Sequence, residues 1–491
     1  MDDMKKTILA TLTLVLAAAA ASAQPTSLTS AYFMEGYNGR SSLNPAFAAE
    51  RSWFSLPMIP AMGLSSRSNM GVSTFLYPAG DGLTTFMNSS VSSDEFLGKL
   101  NKNNRINESM DLDILSMGIW GRKAYFTFGI RNRTDIGINI PYSLFDFMKN
   151  AGKSQYYDIS NLSARARNYT EISFGWARQI ADKVNAGARL KLLLGHGYAD
   201  ARIDKMHIRM TEDRWSVNSE GSMSVSSGNM LDVKTKEENG TGYDSPDDKD
   251  VIDKIGFSDS FDMGALLGGY GAAVDLGAEV ELLPGLKLSL AVNDLGFMSW
   301  RNTVEASTGD REWTFDGFDN FSFDDDKDNS LSDQLDALGD DLAELAKFHR
   351  TATDAVKGDM LAATVLAGAE YVMPFYSGLT AGVLGTARIN GPHSWTEGRL
   401  YANLKPCSWF SFGVNGSISP FGPAMGAALG FHAAGFNMFI GADSISFKYA
   451  NATDSGIPYP YGRLNFGLNF GISFNVGRRH DTAPSETLVS L

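Results

Sequence analysis

The sequence predicts an all-β protein: an antiparallel transmembrane β-barrel of about 14 strands, with an N-terminal hatch-like segment and long extracellular loops. Three observations carry that expectation. In residues 464–476 the apolar Leu464, Phe466, Leu468, Phe470, Ile472 and Phe474 alternate with Asn465, Gly467, Asn469, Gly471, Ser473 and Asn475. Strand side chains point alternately to two faces, so the first set is expected to face lipid. Asn465, Asn469, Ser473 and Asn475 are expected to face the lumen. At about 3.3 Å per residue and a tilt of about 45°, such a strand crosses the roughly 30 Å core of a bilayer.

The second observation is an export signal in residues 1–23: basic Lys5-Lys6, an apolar run from Ile8 to Ala20, and Ala21-Ser22-Ala23 as cleavage site. The mature chain then starts at Gln24, where the absence of a cysteine argues against lipoprotein processing. The third is a succession of alternating segments joined by alternately short and long connections, the pattern of an outer-membrane barrel.

Composition agrees with this reading. Beyond the N-terminus no run approaches the ~18 apolar residues of a membrane helix. Mean hydropathy is −0.15, which does not count against a barrel, since alternation hides its apolar half. The net charge of −14 argues against nucleic acid, which calls for clustered Lys and Arg. Cys407 is the only cysteine, so no internal disulfide forms.

In chain order, residues 24–60 mix Gly, Ser and Asn with Tyr32, Phe33, Met34 and Tyr37, an irregular segment that must pack on something. The barrel is expected over 61–477 and a tail over 478–491. Weak strand pieces around Trp53 to Tyr77 are interrupted by Pro57, Pro60 and Pro78. From Met110 the strands are clearer, with a change of phase near Ser116 that reads as a bulge. Gly121-Arg-Lys123 and Asp182-Lys183 read as turns, and Tyr142 to Lys149 as a short helix. Asp200 to Asp262 is a long polar segment in which Glu237 to Asp253 reads as an exposed, mobile loop. Leu283-Pro-Gly285 turns a hairpin. In a second polar block, Leu331, Leu335, Leu338, Leu342 and Leu345 line one side of an amphipathic helix. From Leu361 strands follow one another over 361–372, 379–388, 398–404, 409–417, 424–431, 436–444 and 464–476. Tyr125, Trp176, Trp300, Tyr371, Tyr376, Trp409, Tyr459 and Tyr461 are the candidates for interfacial girdles.

The motif Asn44-Pro45-Ala46, after the cleavage site and before the first strands, resembles one in the fatty-acid-transporter (FadL-like) outer-membrane barrels. In them the N-terminal segment folds into the lumen as a hatch. The chain also resembles an uncharacterised Bacteroidetes barrel family of unknown function. That resemblance rests on Ser30-Ala-Tyr-Phe-Met, Leu43-Asn-Pro-Ala-Phe47, Ser66 to Pro78, Gly368-Ala-Glu-Tyr371, Tyr401-Ala-Asn-Leu-Lys-Pro406 and Trp409-Phe-Ser411. The first resemblance implies passive uptake or binding of hydrophobic or amphipathic small molecules through an apolar pocket beside the hatch. The alternative is a non-conducting scaffold that binds an envelope or secretion partner through its long acidic loops. A wide porin fits less well, because the inward residues of the last strands are expected to be small and uncharged.

Other motifs are weaker. Gly269-Tyr-Gly271 lacks the third glycine and the βαβ setting of a dinucleotide site, and barrel packing accounts for it better. Asp324-Asp-Asp-Lys-Asp328 opens like a calcium loop but reaches Asn329 and Leu335 where Gly and Glu are needed. The six histidines show no metal-binding spacing, and no G-x-S-x-G occurs. No enzyme, cofactor or metal is expected. The expected partners are outer-membrane lipid, a lipid-like ligand and an envelope protein.

Overall fold

The computed structural model describes residues 28–56, 61–79, 82–226, 228, 231–243, 245–257, 267–316, 340–341, 344–345, 347–445, 449–451, 458–460 and 462–480. The signal segment, Leu331, Leu335, Leu338 and Leu342 of the leucine-rich helix, and the acidic run Asp324–Asp328 lie outside the described residues.

Fourteen antiparallel strands close a barrel. The first, β1, comes in two pieces, Ser52–Phe54 and Ala61–Gly71. Then come β2 (Asn103–Trp120), β3 (Tyr125–Pro141), β4 (Ser163–Ala181), β5 (Val184–Met210), β6 (Gly269–Leu283) and β7 (Leu286–Ser307). The second half is β8 (Ala363–Val372), β9 (Leu379–Ile389), β10 (Trp395–Cys407), β11 (Phe410–Ser419), β12 (Gly422–His432), β13 (Asn437–Ile445) and β14 (Arg463–Val476). Closure is made by β14, where Phe470 lies opposite Ile440 of β13 on one side and Met62 of β1 on the other.

Local chemistry explains the turns. Gly121 N–H bonds to Ala124 O, Lys183 takes φ 59° and Gly285 φ 79°, which let two-stranded turns close tightly. The expected bulge falls between Asp113 and Leu115, two residues before Ser116, and leaves Ile114 out of the ladder. The expected helix is present as Tyr142–Asn150.

At the long-loop end, β5 runs for 27 residues and its upper part pairs with a strand at Trp215–Ser226. The upper part of β7 pairs with His349–Met360. Two apolar clusters fill the loops there, one around Phe75, Phe86, Phe96 and Phe145, the other around Tyr157, Ile159, Ile208 and Val217. The segment Glu237 to Asp253, read as an exposed loop, is exposed over residues 237–243 and is tied to this end by side-chain bonds. Thr235 and Glu238 form a capping box, and buried Asp248 pairs with Lys347 at 2.7 Å and Lys236 at 3.4 Å.

Two girdle assignments are corrected: Tyr125 and Trp300 are buried inside the barrel, whereas Trp176, Tyr371, Tyr376 and Trp409 are exposed. Tyr125 receives the indole N–H of Trp53 at 2.7 Å, a polar partner that an inward tyrosine needs.

Candidate functional site

The lumen is occupied by the N-terminal segment. Leu28, Tyr32, Phe33, Met34, Tyr37, Leu43 and Phe47 are all buried, packed on Ala291, Leu366, Leu384, Tyr401 and Ala428 from the inner faces of β7 to β12. Asn44 is fully buried. Its Nδ2 lies 3.3 Å from both Ala278 O and Leu290 O, while its Oδ1 accepts the Ala46 N–H at 2.9 Å. The Asn44-Pro45-Ala46 turn thus sits against the wall of β5 to β7. The wall has glycines there for a steric reason: a Cβ on Gly277 would lie 2.0 Å from Asn44 Oδ1, and one on Gly187 would lie 2.1 Å from Pro45 O. Neither glycine stood out in the sequence, although both occupy inward positions of alternating strands.

The start of the segment is tied to β13. The Asp443 carboxylate accepts the backbone N–H of Thr29 at 3.1 Å and that of Ser30, and Arg399 donates to the Asp443 carbonyl at 2.7 Å. Arg399 also pairs with Glu397 at 2.7 Å. These inward charges correct the expectation that the last strands face the lumen only with small neutral groups. On β14, Asn465, Asn469 and Ser473 are buried and Asn475 half-buried. Asn38 of the segment donates to Ser473 Oγ at 3.0 Å and Asn475 Oδ1 at 3.1 Å, and Asn469 donates to Asp443 at 3.4 Å. On the opposite face of β14, Leu468 and Phe470 are exposed, while Phe466, Ile472 and Phe474 are half-buried. The Leu464 side chain is outside the described set.

Facing the apolar wall is a charged one. Arg133 meets Asp111, Glu171 and Asp294 at 3.1, 3.3 and 2.8 Å, and Lys191 meets Asp294, Asp275 and Glu171 at 2.6, 2.8 and 3.6 Å. Asp294 reaches this network because it adopts φ 60° at a bulge in β7, and its N–H bonds to Asp275 at 2.7 Å. The pair Asn293-Asp294, inside an otherwise apolar strand, is the sequence signal for that bulge, since Asn and Asp tolerate this conformation.

Above the segment lies a cavity of about 130 Å³. Thr29, Ser42 and Leu43 line it from the segment, and the turn between β9 and β10 lines it from the other end. That turn, Gly391–His393, folds inward and reaches the far side of the barrel. The imidazole of His393 packs where a Cβ on Gly137 of β3 would stand 2.8 Å away. Arg167 of β4 donates to Asn390 Oδ1 at 2.5 Å, Arg105 of β2 to Ser394 O at 2.6 Å, and Arg388 pairs with Asp135 at 2.5 Å. The wall of this cavity is charged, whereas a smaller one of about 60 Å³ beside Tyr37 is lined in part by Trp53, Met117, Phe128, Phe439 and Ile472.

Two other side-chain groups resemble chemical sites. Ser411 Oγ lies 2.7 Å from His432 Nε2, and Asn437 Nδ2 lies 3.0 Å from His432 Nδ1, a Ser-His-Asn arrangement. The same Asn437 Nδ2 donates to Gly36 O at 2.7 Å, which fixes the amide orientation. His432 Nδ1 is then the acceptor and Nε2 carries the proton, the wrong tautomer to deprotonate Ser411. Asp248, Glu344 and His349 also converge, a grouping invisible as spacing in the sequence. Lys347 pairs with both carboxylates, and Arg311 lies 2.8 Å from His349 Nε2 and 3.1 Å from Glu344. Two cations therefore already occupy the positions beside these ligand atoms.

Strand ladder and lumen together define a closed antiparallel β-barrel with an occupied interior. The chain belongs to the family of unknown function DUF5723, whose sequence profile matches residues 45–443. No curated protein sequence matches it. Among solved structures it is similar to the toluene transporter TbuX of Ralstonia pickettii, at 9% identity over 91% of this chain and 95% of that one, TM-score 0.38. It is similar to the monoaromatic hydrocarbon channel CymD, at 10% identity over 94% and 99%, TM-score 0.42. A FadL homologue of Pseudomonas aeruginosa gives 12% identity over 92% and 98%, TM-score 0.33.

Proposed function

We propose that this protein is an outer-membrane barrel that binds small amphipathic molecules and admits them passively, with residues 24–60 acting as its hatch. The observation that carries the reading is the lumenal cavity, bounded by the N-terminal segment on one side and by the inturned Gly391–His393 turn on the other. A solute entering from the loop end meets a polar chamber before the segment, and passage needs the segment to shift. The outer face supports the location. Phe126, Phe174, Leu190, Leu290, Leu400 and Phe470 are all exposed on it, an apolar belt that water disfavours and lipid accepts. In this reading Leu464, Phe466, Leu468, Phe470, Ile472 and Phe474 contact lipid, and residues 1–23 direct export.

The test is uptake into proteoliposomes by the wild type and by a chain lacking residues 24–50. Faster uptake of a short-chain amphiphile by the shortened barrel is the expected result. Equal, background-level uptake by both refutes transport. The scaffold reading has one observation in its favour, the ordered clamp of Asp248, Lys347 and Glu344 that rigidifies the loop surface. In-cell crosslinking through residues 236–250 that captures a single abundant envelope protein supports it.

A further inference from the structure

We infer that the lumenal cavity is a binding site for a small oxyanion, a carboxylate or a phosphate, held by Arg167, His393 and Asn107. The inference concerns the same chamber as the proposed uptake function but rests on its chemistry rather than on transport.

Orphaned polar atoms are the first support. Among the described residues that line the cavity, Asn107 Nδ2, Arg167 Nε, His393 Nδ1 and Thr29 Oγ1 are buried without a hydrogen-bond partner. Burial is nearly complete for two of them, 2% exposure for Arg167 and 1% for His393. A buried donor left unpaired costs about 1–3 kcal/mol, so native proteins fill such positions with protein, water or ligand. All four of these atoms can donate. Asn293 Oδ1, also orphaned, adds an acceptor that a hydroxyl or a bridging water would fill.

Charge is the second support. Among the described residues the cavity wall carries seven cations, six Arg and one Lys, against five carboxylates. Each of these cations also pairs with a carboxylate, Arg167 through Nη1 with Asp359 at 3.1 Å, and what Arg167 keeps for an oxyanion is its unpartnered Nε–H. His393 suits the role as a neutral donor: burial, with Arg165 and Arg167 close by, lowers it to about 4, so one ring nitrogen carries a proton and the other does not. The third support is construction. Gly137 leaves the space in which the His393 ring lies, and Arg105, Arg167 and Arg388 hold the turn that carries it across the barrel.

Calorimetry on the whole folded protein in mild detergent tests the inference, with sodium phosphate and sodium succinate titrated separately against sodium chloride at equal ionic strength. Saturable binding of at least one oxyanion is expected, and the two titrations distinguish phosphate from carboxylate as the preferred group. Asn107→Asp keeps the side-chain volume and sets a carboxylate at the site, so affinity should fall by about tenfold or more, the worth of one charge-assisted hydrogen bond. His393→Phe should weaken binding similarly, while Arg214→Gln in an exposed loop should leave it unchanged. Heat-modifiable gel migration verifies each fold, and Asn107→Asp keeps the test readable if His393→Phe fails to fold. No saturable heat with either oxyanion overturns the inference, as does binding that survives Asn107→Asp. Because no membrane is involved, this measurement succeeds or fails independently of uptake.

Discussion

Replacing Gly187 by alanine asks whether the Asn44-Pro45-Ala46 turn holds the N-terminal segment in the lumen. A Cβ at this position would stand 2.1 Å from Pro45 O and 2.7 Å from Ala46 N. Ordinary contact starts at 3.4 Å, so the turn must retreat by about 1.3 Å (3.4 − 2.1). Both atoms are backbone, and no side-chain rotation relieves the clash. Overpacking of this kind costs about 1–3 kcal/mol. The retreat also weakens the two Asn44 bonds to Ala278 O and Leu290 O, each worth about 0.5–1.5 kcal/mol. Together roughly 2–6 kcal/mol of docking free energy is lost, while the ladder of β5 with β4 and β6 stays intact. Two assays read the result: chymotrypsin cleavage at Tyr32, Phe33, Tyr37 and Phe47 in the folded barrel, and conductance in planar bilayers. Gly187→Ala should become cleavable and more conductive than the wild type while keeping heat-modifiable migration. Gly277→Ala should act in the same direction, because a Cβ there would stand 2.0 Å from the hydrogen-bonded Asn44 Oδ1, 2.8 Å from Pro45 Cδ and 3.0 Å from Ala46 N. If Gly187→Ala is as protected and as silent as the wild type, the turn is not what seats the segment.

Three further predictions concern the outer face, the inner network and the loops. Phe470→Arg should cost about 2–4 kcal/mol of insertion if the residue sits near the bilayer midplane, read as lost heat-modifiable barrel, whereas Asn475→Asp should fold normally; equal behaviour argues that the face does not meet lipid. Lys191→Met leaves Glu171, Asp275 and Asp294 without their shared cation and should lower unfolding free energy by about 3–5 kcal/mol in a denaturant titration; an unchanged midpoint refutes that role. Asp248 and Glu344 are both held below the usual carboxylate range, chiefly by the Lys347 hydrogen bond. A depressed folded value means the clamp's stabilisation is complete above the ordinary carboxylate pKa and is lost as pH falls through the lowered one. Hydrogen exchange in residues 236–250 should therefore accelerate only in acid, below about pH 4, and Lys347→Met should remove that dependence; acceleration on the alkaline side instead would contradict it.

What was legible in the sequence was local. The strand expected over 379–388 is found at Leu379–Ile389, and the helix expected from Tyr142 is there, because alternation, prolines and turn residues act within a few positions. Asn390-Gly-Pro392 reads as a turn for the same reason, yet nothing near it says that the turn folds inward to His393's seat on Gly137. That direction is set by Arg105, Arg167 and Asp135, which lie more than two hundred residues away in the chain, and by the guanidinium of Arg388 beside it. The charged lumen escaped for a related reason. Arg131, Arg133 and Asp135 alternate on β3 as plainly as the isoleucines beside them, but the partner Asp294 is 161 residues from Arg133 and depends on a bulge. Once both walls are seen, the division of the lumen follows from desolvation. The greasy side of the N-terminal segment rests on Ala291, Leu366, Leu384 and Ala428, because an unpaired charge facing Phe33 or Leu43 would be costly. The charges of β2 to β7 pair with one another or, beside the cavity, with Asp359 and Arg388 beyond that wall, and the cavity opens where donor atoms remain unmatched.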